Sequence, residues 1–134
     1  MDYNEPRSYA RTRGGAIGAG IANAAGMQLG CPERKVIAVI GDGSVMWGNQ
    51  ALWTVAHYNI PVTFVICANA SYRILNRTKV IFLGPQAKGK ELPGVKFDKP
   101  RIDFCKMAES MGVQAQKVEK PDGLMSALKS AVES

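Results

Sequence analysis

Apolar and polar positions fall into two alternating rhythms along the chain. "KVIAVI" (35–40) and "PVTFVICA" (61–68) are short, almost wholly apolar runs rich in β-branched residues, the signature of strands in a parallel sheet. Pro61 is tolerated at the first position of the second run. Between them, in "WGNQALWTVAHY" (47–58), Leu52, Val55 and Ala56 recur at helical spacing. Upstream, "GGAIGAGIANAAGMQLG" (14–30) is small and apolar and predicts a tightly packed helix from Gly18 to Leu29, with Gly30 as its stop. Downstream, Asp103 is placed to cap a helix whose Phe104, Met107, Ala108 and Met111 form one stripe ending at Gly112. "VQAQKV" (113–118) reads as a further short strand. In "PDGLMSALKSAVES", Leu124, Leu128 and Val132 mark an amphipathic helix running to the last residue.

Strand and helix therefore alternate, joined by connections too long for hairpins. The order predicts an α/β domain of three layers, a mainly parallel sheet with helices on both faces, over residues 1–134. Residues 1–13 read as an irregular polar lead-in. Residues 72–100 hold Gly84, Pro85, Gly89, Pro93, Gly94 and Pro100 and read as a long functional loop.

In such sheets ligands collect beyond the carboxyl ends of the strands. The first apolar run ends in Gly41-Asp42-Gly43 and the second in Asn69-Ala70-Ser71. An Asp-Gly pair is also a hairpin signal, but a helical pattern follows Asp42 rather than a returning strand. Adjacent strand ends would bring a carboxylate and an amide oxygen together. Those are hard donors suited to magnesium or calcium, and two side chains leave octahedral positions for phosphate oxygens. Gly41 and Gly43 would let backbone come close to a phosphate, and the N–H groups from Ser44 onward would face the anion. The pattern is a metal-held diphosphate site. Other phosphate loops fit worse: no lysine completes a G-x-x-x-x-G-K-[ST] loop, and neither glycine cluster completes G-x-G-x-x-G.

The stretch "GDGSVMWGNQALWTVAHYNIPVTFVICANASY" resembles the thiamine-diphosphate-binding motif, in which Gly-Asp-Gly is followed at fixed distance by asparagine. Asp42 and Asn69 stand 69 − 42 = 27 positions apart, in agreement with that pattern. The usual first asparagine of a pair is replaced by Ala68; the second, Asn69, is the one that matches the metal ligand. "RGGAIGAGIANAAGMQLGCPERKVIAVIGDGS", "SYRILN" and "DKPRIDFCKMAESMGV" extend the likeness. From about Arg13 onward the chain is similar to the C-terminal domain of the benzoylformate decarboxylase and acetolactate synthase group.

The resemblance implies a thiamine-diphosphate-binding fold with Mg2+ held by Asp42, Asn69 and the backbone carbonyl of Ser71. It implies cofactor contacts from Gly15, Ile17, Gly41, Asp42, Gly43, Ser44, Asn69, Ser71 and Tyr72. Gly15 would accept a hydrogen bond from the aminopyrimidine, and Ile17 would wedge the cofactor into its bent form, bringing the amine close to the thiazolium carbon. Met46 and Trp47 are candidate substrate-side contacts, although Trp47, Trp53 and the methionines read first as core. The implied activity is decarboxylation of a small 2-oxo acid, with acetolactate-synthase-like carboligation as the alternative. The resemblance places the activating glutamate and the catalytic histidines in another domain, so no catalytic residue is assigned here, and His57 reads as structural. A pyrimidine-binding domain of the same or a neighbouring subunit is the implied partner, in a homo-oligomer. The chain is then expected to be a piece of a longer polypeptide, lacking a strand before residue 1 and a closing strand after residue 134, and inactive alone.

Composition changes this picture little. Charged residues make up 21% and hydrophobic residues 46%, as in ordinary globular proteins. Seventeen Lys+Arg against eleven Asp+Glu give a net charge of +6. Arg7, Arg11, Arg13, Lys88, Lys90, Lys96, Lys99 and Arg101 are scattered, with no aromatic residues interleaved in a nucleic-acid-reading motif. A nucleic-acid-binding module is thus the weaker reading, and no apolar run is long enough for a membrane helix. Cys31, Cys67 and Cys105 read as buried thiols, and the expected location is cytoplasmic.

Overall fold

A computed structural model describes residue 6 and residues 8–133. In chain order it contains α1 (Ala19–Gly30), β1 (Val36–Gly41), α2 (Asp42–Val45), α3 (Ala51–His57), β2 (Val62–Cys67), α4 (Arg73–Leu83), α5 (Phe104–Ser110) and α6 (Leu124–Glu133). Short 3₁₀ turns lie at Arg13–Gly15, Pro85–Ala87 and Pro121–Gly123. The expected lead-in falls partly on residues 1–5 and 7, so Arg7 lies outside the described residues, as does the expected helix end at Ser134.

β1 and β2 pair in parallel, with Val36 opposite Val62 and Gly41 opposite Cys67. The strands are therefore in step, and both chains leave the sheet at the same edge. Side chains alternate across it. Ala38, Ile40, Phe64 and Ile66 turn to a core formed with Ile21 of α1, Val45, Leu52 of α3 and Ala108 of α5. A smaller cluster joins Ala25, Val55 and Ile60 under Val62 and Phe64. On the opposite face, the Thr63 hydroxyl donates to the Ala131 carbonyl of α6 at 2.8 Å. Helices thus cover both faces, as the alternation predicts.

Coverage of the second face is uneven. Ile37 and Val39 are 51% and 69% exposed, so β1 is not the fully buried strand its composition suggests. α6 reaches β2 but leaves that side of β1 open. Residues 113–118 also differ from expectation, because they form no strand. A cleft of about 1410 Å³, lined in part by Phe64, Ile66, Phe104, Val113 and Leu128, separates them from β2, and the Gln116 amide donates instead to the Ala127 carbonyl at 3.3 Å.

The loop expected over 72–100 is corrected in its first third, where α4 occupies Arg73–Leu83. "RILNRTKVIFL" contains no Gly or Pro, and the breakers that marked the region as irregular all lie at 84 or beyond. α1 also runs one residue further than expected: Gly30 lies inside it and Cys31 closes it, its N–H donating to the Met27 carbonyl. The predicted α5 cap is present, with Asp103 Oδ1 accepting from the Lys106 N–H at 3.1 Å. No helix among the described residues is long and apolar enough to cross a membrane. All three cysteines are free, but Cys67 is exposed and Cys31 and Cys105 are half-buried, which corrects the expectation of buried thiols.

Candidate functional site

Because β1 and β2 end in register, Asp42 and the 68–71 loop leave the sheet side by side. Asp42 is 1% exposed, the most deeply buried charged side chain among the described residues. A carboxylate placed there needs hydrogen-bond donors. Its Oδ1 accepts from the Gly43 N–H at 2.8 Å, and its Oδ2 accepts from the Ala70 N–H at 2.5 Å. Asp42 is also the first residue of α2, where a negative charge faces the positive end of the backbone dipoles.

The second loop is held on both sides. Ala70 adopts φ +55°, a left-handed conformation that costs a non-glycine residue about 1 kcal/mol or more. Its N–H is fixed by Asp42 and its carbonyl accepts from the Phe97 N–H at 3.0 Å. Ser71 bridges Lys96, and the Tyr72 N–H donates to the Val95 carbonyl at 2.9 Å. The flanking Asn69 side chain is exposed.

The glycines divide by what surrounds them. A Cβ on Gly41 would meet nothing within 4 Å, whereas one on Gly43 would lie 2.6 Å from Cδ1 and Cε1 of the Tyr72 ring. The open side of the turn is therefore at Gly41, and the space beside Gly43 is filled by Tyr72. Gly18 (φ +89°) and Gly48 make a second close approach, with a Cβ on Gly48 falling 2.2 Å from the Gly18 carbonyl oxygen. Ser44 belongs to the same contact. It lies inside α2 with no capping bond of its own, and its Oγ accepts from the Gly18 N–H at 3.1 Å. That bond leaves the hydroxyl proton free to face a further acceptor.

Gly15 (φ +65°) and Ile17 lie just before α1, both exposed, with Ile17 at 50%. Trp47 and Trp53 are 63% and 56% exposed, which overturns their assignment to the core. Trp53 stacks on His57 with ring centroids 4.7 Å apart, so His57 is a surface residue at the end of α3. Trp47 donates from Nε1 to the Tyr72 hydroxyl at 3.0 Å. The pattern of apolar residues gives no hint of that pair, nor of Gly18 against Gly48.

The donor set suits a hard cation. No group of three or more His, Cys, Asp or Glu side chains converges among the described residues. At the end of β1 stands one carboxylate with lone pairs left after its two backbone bonds, and on the loop that follows β2 stands an asparagine whose side chain is exposed. Oxygen-only sites of this type are those magnesium takes while keeping positions for phosphate.

A parallel α/β sheet with a buried aspartate at its carboxyl edge has the architecture in which ligands bind beyond the strand ends. The whole chain, residues 1–134, matches the family described as "Thiamine pyrophosphate enzyme, C-terminal TPP binding domain", and the protein belongs to that family. Among curated proteins it is 37% identical to benzoylformate decarboxylase of Pseudomonas aeruginosa over 132 residues, 98% of this chain and 24% of that protein. It is 35% identical to the acetolactate synthase large subunit of Haemophilus influenzae over 134 residues, 96% of this chain and 22% of that protein. Among solved structures, a thiamine diphosphate-dependent 4-hydroxybenzoylformate decarboxylase of Rhodococcus jostii RHA1 matches with a TM-score of 0.77 and 39% identity, over 88% of this chain and 21% of that one. The benzoylformate decarboxylase of Polynucleobacter necessarius matches with a TM-score of 0.73 and 26% identity, over 90% of this chain and 22% of that one. The chain spans between a fifth and a quarter of the length of the curated relatives it matches.

Proposed function

We propose that this domain holds thiamine diphosphate through Mg2+ within a longer 2-oxo acid decarboxylase of the benzoylformate type. The observation that carries the reading is the Asp42 carboxylate, buried at the strand edge and tied to the Ala70 backbone. In this proposal Asp42, Asn69 and the Ser71 carbonyl ligate Mg2+. Gly41 supplies the open backbone approach, and Gly43 with the Ser44 hydroxyl and N–H faces the diphosphate. Gly15 accepts from the aminopyrimidine, Ile17 wedges the cofactor, and Tyr72 closes the turn from its far side. Thiamine diphosphate, when bound, supplies the electron sink for loss of carbon dioxide.

The chain's own residues then bind and orient. Ile17 is a large apolar side chain left half in solvent, and the proposed wedge would cover it. The activating glutamate and catalytic histidines belong to other parts of the enzyme, supplied by a pyrimidine-binding domain of the same or a neighbouring subunit in a homo-oligomer. A small 2-oxo acid is the substrate, and the location is cytoplasmic. The likeness to acetolactate synthase subunits supports a second reading, carboligation with a second 2-oxo acid, on the same cofactor site.

The test is thermal. Mg2+ and thiamine diphosphate together should raise the Tm of the full-length protein well beyond what either does alone, since a ligand bound only by the folded state stabilises it by mass action. Equal shifts from thiamine diphosphate with and without Mg2+ would remove the metal from the site.

A further inference from the structure

Two loops carry the proposed ligands, and the structure joins them twice. The inner joint is buried, from the Ala70 N–H to Asp42 Oδ2. The outer joint is exposed, from Trp47 Nε1–H to the Tyr72 hydroxyl at 3.0 Å. Trp47 lies five residues after Asp42, and Tyr72 three after Asn69. A single hydrogen bond can act as a pivot, about which one loop tilts against the other. A second bond at a distance from the first removes that freedom.

Both partners in the outer joint are themselves braced. The Tyr72 ring rests against Gly43, where a Cβ would lie 2.6 Å from its Cδ1 and Cε1 atoms, and packs on Phe97 with centroids 5.1 Å apart. Its backbone N–H is bonded to Val95. Trp47 backs onto the start of α1, where a Cβ on Gly18 would sit 2.8 Å from its Cβ and carbonyl oxygen. The indole N–H, carried by a backbone fixed against Gly18, therefore meets a phenol whose ring is packed on Gly43 and Phe97.

We propose that Trp47 and Tyr72 are positioning residues, a latch across the two strand-end loops that holds Asp42, Asn69 and the Ser71 carbonyl at the spacing a small octahedral cation demands. The inference rests on the proposed Mg2+–diphosphate site. Mg2+ tolerates little deviation from its octahedral geometry, so a loose second loop lowers affinity even where every ligand is present. The latch itself is a solvent-exposed hydrogen bond and adds little to folding stability. Its loss should therefore show in metal-dependent binding before it shows in Tm.

The experiment uses the full-length enzyme, with isothermal titration of thiamine diphosphate at a series of Mg2+ concentrations. Tyr72→Phe and Trp47→Phe should each weaken Mg2+-dependent binding by about fivefold, the effect of one hydrogen bond of ordinary net strength. The double variant should bind no worse than either single one. Trp47→His, which keeps a ring N–H, should recover most of what Trp47→Phe loses. The Tm of the cofactor-free variants should stay within about 2 °C of the parent. Unchanged or tighter binding in Tyr72→Phe, additive losses in the double variant, or a Tm that falls in step with affinity would each overturn the latch. Asp42→Ala measured alongside separates the two levels: if it binds like the parent, the site reading fails; if it loses binding while Tyr72→Phe does not, only the latch fails.

Discussion

The Asp42 carboxylate accepts the backbone N–H of Ala70 across 2.5 Å, joining the end of β1 to the loop that follows β2. Twenty-eight residues separate the two in sequence, and parallel pairing in register brings them together. The contact spends one lone pair of a buried anion on holding a left-handed alanine, and leaves others for a cation.

The contact between Gly18 and Gly48 is a rigid one, because the clash a side chain would create is with backbone. Gly48→Ala should lower stability by about 2–3 kcal/mol, at the upper end for overpacking. Gly26→Ala is the contrast, since a Cβ in that exposed position of α1 meets nothing within 4 Å. It should raise stability by about 0.5–1 kcal/mol by relieving the helical cost of glycine. Urea unfolding of both variants checks the pair, and similar effects of one sign would contradict the geometry.

Gln28 is buried and clasps the turn between α1 and β1. Its Nε2 donates to the Arg34 carbonyl at 2.8 Å, and its Oε1 accepts from the Val36 N–H at 2.9 Å. Gln28→Leu keeps the bulk but removes both hydrogen bonds, and should cost about 1–3 kcal/mol. Hydrogen exchange at the Val36 amide should accelerate in that variant; an unchanged rate would show that the clasp is dispensable.

Thiol reactivity should separate the cysteines. Cys67 is exposed, whereas burial, and after it the neighbouring Asp103 charge, push the Cys105 thiol above its ordinary pKa. A raised pKa means less thiolate at mildly alkaline pH, so Cys105 should react more slowly. Mass-spectrometric mapping after limited iodoacetamide treatment at pH about 8 should find Cys67 modified well before Cys105. Equal rates would contradict the burial pattern.

The strand ends were legible because their signals are local: two β-branched runs, each closed by a polar residue between small ones. Asp103 as a helix cap was readable for the same reason. α4 is not, because no side-chain cap marks its start and Arg73–Leu83 runs directly into the breakers from Gly84 to Pro100. Residues 113–118 show the converse, with strand-like composition but no partner across the cleft facing β2. The Trp47–Tyr72 and Gly18–Gly48 contacts depend on how distant loops meet, and no periodicity within one segment encodes them. Residue type alone points Trp47 and Trp53 to the core, yet both lie on the surface.

In the proposed site Asp42 anchors the metal and, through it, the diphosphate, while His57, the sole histidine of the chain, takes no part. Titration of thiamine diphosphate into the full-length enzyme at saturating Mg2+ tests it directly, comparing Asp42→Ala with His57→Ala. Binding should be lost in the first and match the parent in the second. Parent-like binding by Asp42→Ala, or equal loss from both, would contradict the account.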